Sequence, residues 1–93
     1  HRDIKPQNIL IFNKYDIKLC DFGLSKINIL SGKTHTETTT TLWYRAPEVI
    51  LNTGKYDVLI DIWSVGCILL QMILKKKFPF NDLCERSTLF KIF

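Results

Sequence analysis

An α+β fold, mainly helical with one short β-hairpin, is predicted by three features of the 93-residue chain. Ile9-Leu-Ile-Phe12 and Ile17-Lys-Leu-Cys20 are short runs rich in branched apolar residues, separated by Asn13-Lys-Tyr-Asp16, which has the composition of a turn. Ile62 to Leu74 is apolar except at Ser64 and Gln71 and long enough for a helix, so a helix over about 58–75, buried on nearly all sides, is expected. Pro47-Glu-Val-Ile-Leu51 begins with a residue tolerated in the first helical turn and is followed by Asn52-Thr-Gly54, which ends it.

The remaining elements follow in order. From Asp21 to Trp43 regularity stops: Gly23 and Gly32 interrupt, and six of the eight residues from Thr34 to Thr41 are threonine, so a loop with exposed hydroxyls is predicted. The long helix must stop before Pro79. Ser87 is then placed to cap a last helix, Thr88 to Phe93.

Composition narrows the functional classes. With 46% hydrophobic and 24% charged residues the chain is an ordinary folded protein. Its net charge of +4 is spread over single lysines apart from Lys75-Lys76-Lys77, which reads as a solvated surface and not as a nucleic-acid face. The Ile62–Leu74 stretch is too short for a membrane span, which needs roughly 20 residues. Cys20, Cys67 and Cys84 form no close pair and sit near no histidine cluster, so neither a zinc site nor a disulfide framework is expected, and a reducing, intracellular setting fits.

The chemistry is concentrated at the amino end. Asp3, Lys5 and Asn8 lie within the first eight residues, and Asp21 stands on the far side of the hairpin, which would return it close to Asn8. Two oxygen ligands would then face one space, suited to magnesium, which takes one or two protein oxygens and completes its shell with phosphates and water. Asp3 beside that seat could receive or orient a hydroxyl proton, and Lys5 could offer charge to a phosphate. Phosphoryl transfer asks for that alignment and charge neutralisation more than for covalent chemistry.

Three ordered motifs carry a family resemblance: HRDIKPQN at 1–8, CDFG at 20–23 and RAPE at 45–48. The chain resembles a protein kinase over its whole length. The resemblance implies a partial kinase-like fold over 1–93: the helical carboxy-terminal lobe with its catalytic-loop hairpin, the amino-terminal lobe being absent, a catalytic loop at 1–8, and an activation segment at 21–48. It implies Asp3 as catalytic base, Lys5 as the phosphate-contacting lysine, Asn8 and Asp21 as ligands of Mg2+, and ATP as the phosphoryl donor. Thr41 takes the place of the threonine that contacts the catalytic Asp and Lys. His1 and Phe22 become packing members of the regulatory core, Glu48 the partner of an arginine beyond Phe93, and Asp61 the carboxylate that caps the backbone near His1 and Arg2. Ile4 in place of the commoner leucine conserves volume.

TLWYRAPEVIL and LFKIF are similar to the cyclin-dependent kinases. That likeness implies a serine/threonine kinase with Arg45 shaping a pocket for proline after the target residue, Thr36 as the activating phosphothreonine and Arg2 as its bidentate partner. It also implies a cyclin and an upstream activating kinase as partners, with neither nucleic acid nor membrane, and residence in the cytoplasm or nucleus. Thr36-Glu37-Thr38 keeps a mitogen-activated kinase as an alternative, although Tyr is missing and Leu42 stands where those enzymes usually have arginine. A non-catalytic pseudokinase scaffold is the other alternative, because the glycine-rich loop and the strand lysine that complete an ATP site lie upstream of such a catalytic loop. The isolated 93 residues are expected to be inactive and to show no cooperative melt.

Overall fold

The chain is described by a computed structural model that covers residues 1–23, 42–54, 57–75, 80 and 84–93. Two strands, β1 (Ile9–Ile11) and β2 (Ile17–Leu19), pair antiparallel with Ile9 opposite Leu19, Leu10 opposite Lys18 and Ile11 opposite Ile17. Three helices follow, α1 (Pro47–Ile50), α2 (Leu59–Leu74) and α3 (Glu85–Ile92), with short 3-10 turns at Pro6–Asn8 and Leu42–Tyr44. The architecture is α+β, as the sequence predicts.

The hairpin is made by its turn. Asn13 Oδ1 accepts the amides of Tyr15 and Asp16 at 2.9 and 3.0 Å, and Asn13 Nδ2 donates to the Asp16 carboxylate. An asparagine that caps two backbone donors reverses the chain without help from a core. The ladder then extends at both ends, with Phe12 N–H donating to Asp16 O and Cys20 N–H to Asn8 O at 2.9 Å. Each strand is one residue shorter than predicted, since Phe12 and Cys20 lie outside β1 and β2.

Helix α1 starts at Pro47, whose missing N–H is one that the first turn leaves unpaired anyway. It ends where Asn52 (φ 48°) and Gly54 (φ 69°) enter the left-handed region. Asp57 Oδ1 accepts the Leu59 amide at 2.7 Å and starts α2, and Lys75 at φ 48° closes it. Helix α3 lies against α1 and the Leu42–Tyr44 turn. It begins earlier than predicted: Ser87 lies inside α3 and is not its cap. Cys84 holds the N-cap position in extended backbone, and its carbonyl accepts both the amide and the hydroxyl of buried Thr88.

The expectation that the long helix is buried on nearly all sides is corrected. Only Ile60, Ser64 and Cys67 of α2 are buried, whereas Ile62, Val65, Leu69 and Met72, spaced as one stripe, are 66, 41, 50 and 60% exposed. A helix apolar all round can bury only the stripe that its neighbours reach, and among the described residues these include Tyr44, Trp43 and Phe80. Gly66 has nothing within 4 Å of an added Cβ among the described residues. Gly66→Ala is therefore expected to raise the helicity of the 93-residue chain, stabilising α2 by about 0.5–1 kcal/mol. Far-ultraviolet circular dichroism of the two chains checks this, and lower helicity in the alanine variant would show an unseen close approach. No described helix is long and apolar enough to cross a membrane.

Candidate active site

The opening loop is held from below by α2. Asp61, in the first turn of that helix, accepts the Arg2 amide on Oδ1 at 2.8 Å and the His1 nitrogen on Oδ2 at 2.7 Å. Arg2 sits at φ 67°, a left-handed conformation that costs a non-glycine residue about 1–3 kcal/mol and persists where its surroundings enforce it. The Asp61 bonds are that enforcement.

His1 then links the loop to the hairpin. The Asp3 amide donates to His1 Nδ1 at 3.3 Å, so Nδ1 is the acceptor, and the ring proton on Nε2 donates to the Cys20 carbonyl at 2.9 Å. The imidazole also meets the Phe22 ring at a centroid distance of 4.7 Å. One side chain thus touches the amide of Asp3 and the carbonyl that precedes Asp21.

Within the loop, Asp3 Oδ2 receives Lys5 Nζ at 2.8 Å and Asn8 Nδ2 at 3.1 Å. Asn8 is 5% exposed, and its Nδ2 also donates to the Asp3 carbonyl at 2.8 Å. With both amide hydrogens directed at Asp3, Asn8 Oδ1 is left as an acceptor. The ladder sets Cys20 opposite Asn8, so Asp21 is the next residue on the opposite side, again at a positive φ of 61°. Its Oδ1 accepts the Gly23 amide at 3.4 Å, and a Cβ at Gly23 would stand 3.2 Å from that oxygen, so a side chain there would crowd the carboxylate.

Asp3, Lys5 and Asn8 are joined in one network, with Asp21 across the ladder from it and Asp61 beneath. Arg45 directly follows the Leu42–Tyr44 turn, and Glu48 lies in the first turn of α1. The backbone of Arg2 is in the loop, bound to Asp61. Thr36 and Thr41 lie outside the described residues, with the rest of the predicted threonine-rich loop.

The donor set fits a hard cation carried by phosphates. Asn8 and Asp21 offer oxygens only, and among the described residues no three His, Cys, Asp or Glu side chains converge on a point. That is the sparse oxygen set magnesium takes when phosphates supply the remainder of its shell.

Tyr44, to which the sequence reading gave no role of its own, bears on the geometry. Tyr44 is buried at 5% exposure; its hydroxyl donates to Gln71 Oε1 at 3.0 Å, and its carbonyl accepts Ser64 Oγ at 2.8 Å. The available signal was the spacing of Ser64 and Gln71, two helical turns apart in an otherwise apolar run. Burial pushes the Tyr44 hydroxyl above its ordinary range, with neighbouring Cys67 adding to the shift and the Gln71 bond opposing it.

Cys67 is buried beside Tyr44, and burial pushes its thiol from 9.0 up to about 11. The folded protein therefore keeps this proton at pH values where the unfolded chain has lost it. The resulting stabilisation is complete below pH 9.0 and is expected to fall away as pH rises toward about 11. Alkylation near pH ~8 should label exposed Cys84 well before Cys67, as mass spectrometry would read. Equal labelling would contradict the burial.

A sequence model described as the protein kinase domain matches residues 1–92. The chain is 46% identical over all 93 residues to Cyclin-dependent kinase G-2 of Oryza sativa subsp. indica, of which it covers 13%. It is 45% identical over 93 residues to Cyclin-dependent kinase 1 of Encephalitozoon cuniculi (strain GB-M1), covering 31%, and 45% identical over 73 residues, 78% of this chain, to Putative cyclin-dependent kinase F-2 of Oryza sativa subsp. japonica, covering 22%. The chain spans less than a third of the length of each of these curated relatives. It belongs to the protein kinase family and is a cyclin-dependent-kinase-like piece of that domain.

Proposed function

We propose that the protein carrying this chain transfers the γ-phosphoryl group of Mg-ATP to serine or threonine followed by proline. The observation that carries the reading is the network in which Lys5 and Asn8 both converge on Asp3 Oδ2, across the ladder from Asp21. Among the described residues Asp3 Oδ1 takes no such partner, and it is the oxygen that receives or orients the substrate hydroxyl proton. Lys5, within reach of Asp3, also neutralises charge on the phosphoryl group in transit. Asn8 Oδ1 and Asp21 would hold magnesium, which when bound with ATP would supply neutralisation of phosphate charge.

Arg45 shapes the pocket for the proline. Thr36 is the activating phosphorylation site, Arg2 its partner, and Thr41 the contact to Asp3 and Lys5. The partners are a cyclin and an upstream activating kinase, and the setting is the cytoplasm or nucleus. Similarity to proteins named cyclin-dependent kinases supports the cyclin partner.

The test uses the protein expressed from its complete reading frame, with paired peptides that differ only in proline or alanine after the phosphoacceptor. Magnesium-dependent transfer to the proline peptide, and much slower transfer to its partner, is expected. Equal rates would remove the proline preference, and ATP binding without transfer to any peptide would favour a scaffold.

A further inference from the structure

We propose that the half-buried hydrogen bond between Tyr44 and Gln71 is a positioning device for the polypeptide substrate, fixing where Arg45 stands relative to Asp3. The inference rests on the kinase reading above. Tyr44 is secured at two points by one helix: Ser64 Oγ donates to its carbonyl at 2.8 Å, and its hydroxyl donates to Gln71 Oε1 at 3.0 Å. Ser64 and Gln71 share a face of α2, and Cys67 between them belongs to the same cluster as Tyr44. The tyrosine thus lies along two turns of the helix.

Arg45 follows directly. Its amide donates to the Leu42 carbonyl at 3.0 Å, which closes the short turn that carries Tyr44, so the backbone of Arg45 moves with that tyrosine. One turn before Ser64, Asp61 on the same helix holds Arg2 and His1. A single rigid element therefore grips the loop that bears Asp3 at one point and the segment that bears Arg45 at two others. Removing the Asp61 grip displaces the catalytic loop itself. Removing the Gln71 grip loosens the Tyr44 side chain while Ser64 still holds its carbonyl, so the change is confined to the substrate segment and leaves the Asp61 grip on the catalytic loop in place.

The phenol stays protonated, and so remains a donor, throughout the neutral range. Gln71 accepts as a neutral amide, so the bond keeps its strength across that range. A carboxylate at the same position would also accept, which supplies a conservative variant.

The experiment is steady-state transfer by the protein from the complete reading frame, with Gln71→Leu, Tyr44→Phe, their combination, and Gln71→Glu, varying a Ser-Pro peptide and then ATP. Gln71→Leu and Tyr44→Phe should each raise the peptide KM about fivefold to tenfold. KM for ATP and kcat should stay within about twofold. The combined variant should be no worse than either single one, and Gln71→Glu should retain the original peptide KM.

An unchanged peptide KM in the folded variants overturns the inference. A parallel loss of kcat and of both KM values, as general loosening of the fold would give, overturns it too. Should Gln71→Leu fail to fold, Tyr44→Phe, which removes one oxygen and no volume from the core, decides the matter alone. No transfer by the unchanged protein to any peptide overturns the kinase reading itself, a result distinct from either of these.

Discussion

Asp3→Asn is expected to lower the rate of phosphoryl transfer by about 10³-fold while leaving the peptide and ATP KM values within about threefold. The substitution keeps the shape of the side chain. The Asn8 amide still finds the residue 3 carbonyl, now its bond at 2.8 Å, so the loop retains one of its two ties to Asn8. What disappears is the carboxylate that accepts Lys5 Nζ and that, on the proposed function, would present its other oxygen to a substrate hydroxyl. An amide cannot take that proton, and Lys5 loses the anion that holds it. A loss smaller than about tenfold would mean that Asp3 aligns the substrate without acting on its proton.

Asp61→Ala is expected to destabilise the protein from the complete reading frame by about 3 kcal/mol, read as a shift in the denaturation midpoint at unchanged slope. Two donors, the Arg2 amide and the His1 nitrogen, lose a charged acceptor. The left-handed backbone at Arg2 then loses what enforces it, and relaxation of that residue carries Asp3 with it. Asp61→Asn, whose Oδ1 can still accept from Arg2, should fall between the two. A change below about 0.5 kcal/mol for the alanine variant would show that the loop is held by other contacts.

How far these features could be read in advance depends on the range of the interaction. The hairpin was legible because Asn13 acts on residues two and three positions away, within the turn that the sequence displays. The residues of the carboxylate loop were legible as motifs, and Asp61 was placed near His1 and Arg2 by family resemblance, not by any local pattern. Ser87 misled because a hydroxyl residue before a short amphipathic run has the composition of a cap. Glu85 and Arg86 are helix formers, however, and the chain turns at Cys84 instead.

Long-range partners left weaker traces. In α2 every position but a few is apolar, so periodicity could set the helix but not which stripe of it is covered. Tyr44 and Gln71 are far apart in the chain and belong to no shared motif, so only the packed structure joins them. The left-handed backbones at Arg2 and Asp21 are likewise imposed from outside, since neither residue type favours that conformation as glycine does.

The central claim is that Asp3, Asn8 and Asp21 form a magnesium-dependent phosphoryl-transfer site. It is tested most directly by measuring γ-phosphoryl transfer to a Ser-Pro peptide by the protein from its complete reading frame, as a function of free magnesium, beside Asp21→Asn. Saturable transfer that chelation abolishes, and that Asp21→Asn restores only at much higher magnesium or not at all, is the predicted result. Transfer that is independent of magnesium, or equal in the two proteins, would contradict the account.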